Sequence, residues 1–327
     1  MNRKYLIFST LVLFNTLFLV WNSLYVINNP DLLPYIELLH SLKSFGLNIE
    51  PTLYIFSTAS WYLSNSLGLD PVFIFYYLYI FLMQFFLLLG FYNLTNRSIL
   101  KSNILLLIWI SVYGTIHGLI QIRFGLANAI FVYIYSFSYV KSSFSKISIF
   151  SLIGFFTHYS SILALMSFFM IYLRKVIFNK NSYKIVHISF MGFLLLFKFG
   201  AIFNILPSFL LGRISNYIGN DNLDSTSVIS IYISLFCYII LVLSPKLNDE
   251  KLNSLKIYGA VGFLPYFIVP ELEILIRLGI PFQYLLLVYL VLTYKYRKML
   301  VYTTLPLMVF YGYKVYSNLN AFLGYLY

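Results

Sequence analysis

Arg123 and His158 are an arginine and a histidine, 35 residues apart, in a chain that avoids polar side chains over long stretches. Arg123 begins the run RFGLANAI, and His158 sits in FFTHYSS between two apolar runs. An ionisable group at membrane depth costs roughly 2.5–3.5 kcal/mol by insertion scales, so such a residue points to function before packing. A guanidinium is always charged and presents five donors in a fork that fits phosphate oxygens. The plain alternative for Arg123 is an anchor that snorkels to the interface. A neutral imidazole orients a hydroxyl or a phosphate oxygen, and it titrates near neutrality. The alternative for His158 is a satisfied structural donor.

Further charges extend the set. Arg213 in GRISNYIGN and Arg277 in ELEILIRLGIPFQY are cations that would suit a diphosphate if they converged with Arg123. Arg213 also reads as a solvated loop residue, and Arg277 as the partner of Glu273 one helical turn earlier. Glu271 and Glu273 follow Pro270 and are the carboxylates placed for proton abstraction. Equally, they are acids at a helix N-terminus, where the dipole favours them. Asp31, Glu37 and Glu50 lie in a polar stretch and carry the same ambiguity. Tyr159, Tyr217 and Tyr284 are the tyrosines placed to pack on sugar rings, among 31 Tyr and 33 Phe that otherwise serve core and interface. The chain has no DxD pair, Gly-rich phosphate loop, HExxH or GxSxG, so neither a metal nor a cofactor is expected.

The elements that must position these residues are membrane helices. The chain of 327 residues is 61% hydrophobic and 10% charged, with a mean hydropathy of +0.84. Continuous apolar runs in lipid require helices, whose backbone groups are satisfied internally, and exclude the short alternating strands of a barrel. The fold class is therefore all-α: a polytopic integral membrane bundle of about 9–11 transmembrane or re-entrant helices. Expected spans are 5–27, 71–92, 104–121, 124–140, 185–204, 228–244, 256–270, 278–294 and 299–316. Residues 52–67 are apolar but short and rich in Ser and Thr. Residues 147–173 are too long for one span and are interrupted at Thr157-His158-Tyr159. A bend is expected at Tyr113–Gly118, just before Arg123.

The whole chain, 1–327, reads as one membrane domain with outer loops at about 28–51 and 205–227 and no soluble domain. The first apolar segment reads as a retained anchor rather than a cleaved leader. The lone Cys237 excludes an intramolecular disulfide. The net charge of +12 fits the positive-inside rule better than a nucleic-acid partner. With the N-terminus in the cytoplasm, and both awkward segments entering and leaving on one side, most of the 22 basic residues fall in cytoplasmic segments. These include Arg97, Lys101, Lys146, Lys246, Lys251, Lys256, Lys295, Arg297 and Lys298. Arg123, His158, Arg213, Arg277, Glu271 and Glu273 then share the outer face of the cytoplasmic membrane.

The run Arg123-Phe-Gly-Leu-Ala-Asn-Ala-Ile, the basic turn from Lys141 to Lys146, and Phe156-Thr157-His158-Tyr159-Ser160-Ser161 together resemble a family signature. It is that of EpsG-like and Wzy-type bacterial polysaccharide polymerases. There an R-x-x-L-A-x-A helix is followed some thirty-odd residues later by F-H-x-S. Glu50-Pro51-Thr52 resembles the family's acidic-proline element, and Arg213 with Tyr217 and Arg277 with Phe282 resemble its later arginines. The resemblance covers residues 45–285 in pattern, with residues 123–161 the specific part. It implies a glycosyltransferase that polymerises undecaprenyl-diphosphate-linked oligosaccharide units outside the cytoplasm. The flippase and the chain-length regulator of the same pathway would be further partners. Arg123, Arg277 and Arg213 would bind the diphosphate, His158 would orient or act as acid/base, and Glu273 or Glu271 would be the weaker bases. A lipid-linked oligosaccharide flippase, a polysaccharide ligase, an acyltransferase or a structural envelope subunit are the competing expectations.

Overall fold

A computed structural model describes residues 14–19, 35–37, 39, 50–137, 144–158, 182–200 and 228–324. The protein is an all-α polytopic membrane protein, and no strand occurs among the described residues. Three helices there are long and apolar enough to cross a membrane: Pro71–Leu94, Ile99–Ile120 and Leu275–Thr293. The elements gather into two compact units, residues 1–168 with 308–327, and residues 169–307.

The first unit contains α1 (Pro51–Leu67), α2 (Pro71–Leu94), α3 (Ile99–Tyr113), α4 (Ile122–Ser136) and α5 (Phe144–Thr157). Local chemistry sets the boundaries. Asp70 caps α2 by accepting from the amides of Val72 and Phe73, and Pro71 occupies the first turn, where no N–H is needed. Ser98 caps α3 through the Lys101 amide. Gly68, with φ of 66°, closes α1 in the left-handed conformation that glycine adopts without steric cost.

The Ser-rich segment at 52–67 lies in one continuous helix, Pro51–Leu67, of 17 residues. Ser57 and Ser60 donate back to the carbonyls of Leu53 and Phe56, which removes their hydroxyls from the list of groups needing water. At 1.5 Å per residue α1 is about 25 Å long, short of a hydrocarbon core of about 30 Å.

The expected bend after Tyr113 is a π-helical segment, Gly114–Ile120, whose wide turn ends with the Gln121 amide bonding to Ile116 O at 2.6 Å. It turns the chain so that α4 runs alongside α2. Close approach there depends on small residues: Gly90 of α2 faces the backbone of Tyr133, and Gly125 of α4 faces the carbonyl of His117 and Met83. Aromatic contacts fill the rest, with Phe56 of α1 on Tyr79 of α2 and Tyr133 of α4 on Phe150 of α5.

The second unit contains α6 (Ser182–Lys198), α7 (Val228–Leu243), α8 (Glu250–Val261), α9 (Leu264–Ile268) and α10 (Glu273–Thr293). α11 (Lys298–Gly324) follows. The span expected at 256–270 is two helices, α8 and α9, parted at Gly262-Phe263. Gly262 lies against Gly279 of α10, and its carbonyl accepts from Gln283 Nε2 at 2.9 Å. The Gly262 carbonyl at the break thus has a side-chain donor.

Candidate functional site

Three helix ends of the first unit meet at one carboxylate. Glu50 is the N-cap residue of α1, followed by Pro51 at the first helical position. Most N-cap side chains fold back onto their own amides, as Asp70 and Asp249 do. Glu50 makes no such bond, because its longer side chain reaches away from α1. Its Oε2 accepts from Arg123 Nη1 at 2.6 Å, and its Oε1 is 2.7 Å from His158 Nδ1. Arg123 is on the first turn of α4, just past the π segment, and His158 is the first residue beyond α5. Thr52 Oγ1 donates to Phe156 O at 3.1 Å, pinning the start of α1 to the end of α5.

The electrostatics of the three ends are complementary. A carboxylate at the N-terminus of α1 and an imidazole at the C-terminus of α5 both match the helix dipoles. Arg123 sits against the dipole of α4, and Glu50 offsets that mismatch directly. Both contacts are short, as charge-assisted hydrogen bonds are. The Glu50 side chain is 9% exposed, against 26% for Arg123 and 19% for His158. The carboxylate is therefore the hidden member, and the cation and the imidazole are the members that face outward.

Tyrosines complete the surroundings. Arg123 Nε donates to Tyr35 Oη at 3.0 Å, and the guanidinium carbon lies 5.4 Å from the centroid of the same ring. Among the described residues, two of the five guanidinium N–H groups are thus engaged. Tyr79 is fully buried beside Thr52, Arg123 and Glu50. Phe124 packs edge-on to both His117 and His158, with centroids at 5.3 and 5.6 Å, which ties the imidazole to the π segment.

Gly125 sets how closely α4 approaches that segment. A Cβ there would run into the His117 carbonyl, a backbone atom that cannot yield as a side chain can. Gly125→Ala is expected to cost about 1–3 kcal/mol through this overlap and to pull Arg123 away from Glu50. Gly192→Ala on α6 meets nothing within 4 Å and is expected to raise helix stability by about 0.5–1 kcal/mol. Melting temperatures of the two purified variants check the pair, and equal values would remove the role given to Gly125.

The sequence-derived candidates fall in both units. Arg123 and His158 come together through Glu50, which the sequence offers both as one of several loop acids and as part of the acidic-proline element Glu50-Pro51-Thr52. Arg277 lies half-buried on the second turn of α10 in the second unit. Glu271 is exposed and paired with Lys198 at 2.6 Å, also in the second unit. Tyr284 is fully buried on α10, so its ring belongs to the packed interior and presents no face to a sugar. Glu273 opens α10, but its side chain, with Tyr159, Arg213 and Tyr217, lies outside the described residues. Sequence reasoning gave no weight to Tyr35, Tyr79 or Lys198. Among the described residues, no three of His, Cys, Asp and Glu are grouped to hold a metal ion.

The model of the EpsG family matches residues 5–327 of the chain. No curated protein and no solved structure matches it.

Proposed function

We propose, from the premise that this chain belongs to the EpsG family of membrane polysaccharide-biosynthesis proteins, that it is a glycosyltransferase polymerising lipid-diphosphate-linked oligosaccharide units on the outer face of the cytoplasmic membrane. The observation that carries this reading is one buried carboxylate, Glu50, holding a partly open guanidinium and a partly open imidazole side by side.

The reaction forms a bond between an acceptor sugar oxygen and the anomeric carbon of the growing chain. It breaks the bond from that carbon to the lipid diphosphate, which departs with the bonding electron pair. Negative charge thus grows on a phosphate oxygen as the acceptor hydroxyl loses its proton. Arg123 would meet the first demand with the N–H groups that Glu50 and Tyr35 leave over, since fixed cations stabilise charge where it develops. His158 would meet the second. With Glu50 ionised, Nδ1 carries the proton and donates it to the carboxylate, which places the basic lone pair on Nε2. Glu50 would act as the positioning residue for both and would not touch substrate. The lipid carrier would enter from the bilayer, its natural solvent, between the helices of the apolar bundle.

A flippase would use the same cations to bind the same ligand without bond chemistry. A deletion strain separates the two readings. Loss of long-chain surface glycan with single-unit products retained is the result expected of a polymerase. Loss of both, with lipid-linked units trapped inside the cell, would assign the chain to transport. A ligase or acyltransferase defect would leave polymer of normal length but unattached or unacylated.

A further inference from the structure

The second unit holds another group of cations, which the proposed reaction does not use. Lys256 of α8 is 2% exposed, whereas Lys101, Lys146, Lys295 and Lys298 are all exposed in the ordinary way. Its ammonium donates to the carbonyl of Ser244 at 2.6 Å and to the hydroxyl of Ser244 at 3.2 Å, just beyond the end of α7. Arg297, immediately before α11, donates from Nη2 to the next carbonyl, Pro245, at 3.4 Å. Its Nε is buried and, among the described residues, finds no partner; Tyr289, fully buried on α10, interacts with Arg297, Ser244 and Thr293. Lys246 is exposed and lies, like Arg297, within electrostatic reach of Lys256.

Capping of α7 does not account for this assembly. A helix C-terminus carries the equivalent of about half a negative charge, and the two carbonyls are neutral, so three cations overshoot it several-fold. Like charges held within a Debye length, about 8 Å at physiological ionic strength, repel one another. Among the described residues none of the three forms a salt bridge. Of the two acids between Lys246 and Lys256, Asp249 spends its carboxylate on the amides of Lys251 and Leu252, and Glu250 is exposed on the first turn of α8 and forms no salt bridge among the described residues.

We infer that Lys256, Arg297 and Lys246 form a binding site for a phosphate group, at the end of the second unit that the basic-residue distribution assigns to the cytoplasm. The arginine fork and the lysine point charges are the donors that phosphate recognition uses. The phosphate belongs either to an anionic phospholipid headgroup of the inner leaflet or to a soluble cytoplasmic species. The site uses none of Glu50, Arg123 and His158, and does not depend on the polymerase reading.

The test uses the full-length protein in a neutral detergent, with its melting temperature followed as inorganic phosphate or a short-chain phosphatidylglycerol is added. At least one of the two is expected to raise the melting temperature, and Arg297→Gln is expected to require at least tenfold more ligand for the same rise. A response to phosphatidylglycerol alone identifies a headgroup site. A response to inorganic phosphate identifies a soluble ligand. If Arg297→Gln does not fold, Lys246→Gln, at an exposed position, is read by the same criterion. No response to either ligand, or a response unchanged in the variant, overturns the inference.

Discussion

Glu50→Gln is expected to abolish long-chain glycan while the protein still inserts and accumulates. A carboxylate offers an acceptor oxygen to each partner, and Glu50 uses one for Arg123 and the other for His158. A primary amide of the same shape has one acceptor end and one donor end. If the oxygen stays with Arg123, the amide N–H faces His158 Nδ1. The imidazole must then accept there and carry its proton on Nε2, where the proposed base needs a lone pair. If the amide turns the other way, its N–H groups face the guanidinium and Arg123 loses its anchor. Either orientation costs one of the two functions, and loss of a positioned base alone is worth about 10²–10⁴ in rate. The measurement is the rate of polymer formation in membranes supplied with lipid-linked units, normalised to the amount of inserted protein. Wild-type chain lengths in this variant would falsify the role given to Glu50.

The second large effect is expected at Arg123, and the choice of substitution separates two explanations. Arg123→Ala removes the charge and the fork, and about 10²–10³ in rate is expected to go with them, the usual consequence of deleting one donor to a developing anion. It also removes the guanidinium partner of the buried Glu50 carboxylate, so a structural account predicts loss of activity too. Arg123→Lys distinguishes them. A lysine keeps a positive charge for Glu50 and preserves the ion pair, yet it offers a phosphate only a point charge in place of a planar fork. Polymerisation is expected to stay strongly depressed in Arg123→Lys while thermal stability returns most of the way to wild type. Full activity with lysine would mean that Arg123 serves only to hold the carboxylate. A double-mutant cycle between Glu50→Gln and Arg123→Lys adds a check, because residues acting as one unit are strongly non-additive.

What could be read from the chain divides along a physical line. Helices were legible because lipid leaves a backbone no other economical way to satisfy its amides, and Asp70-Pro71 and Ser98 marked their starts by ordinary capping. Arg123 and His158 were legible because an ionisable group in an apolar run is costly wherever it ends up. Glu50 was marked only by the resemblance of Glu50-Pro51-Thr52 to the acidic-proline element, because by its chemistry alone an acid in a polar stretch is unremarkable. Its role comes from partners 73 and 108 residues away, which no local period encodes. A trace of it was present all the same. Glu is a poor N-cap, and a Glu standing directly before a helix-opening Pro is a carboxylate with no local task.

The same logic explains Tyr284. On α10 every residue from Gly279 to Leu290 is buried, so no polar face exists from which to tell an inward ring from an outward one. The π segment was half legible: Gly114 and Gly118 announced a bend, but not the hydrogen-bond pattern that would make it.

The long separations around Glu50 also impose an order on biogenesis. A chain emerging at about 5–20 residues per second presents Glu50 to the membrane several seconds before Arg123 exists, and longer still before His158. During that interval the carboxylate has neither partner, so α1 gains little by settling early. Arg123 arrives first and neutralises it, and only the completion of α5 supplies the imidazole. The Glu50 cluster therefore closes only once residue 158 has emerged, before residues 308–327 complete the same unit, and a chain arrested short of residue 158 would lack the imidazole of the proposed site.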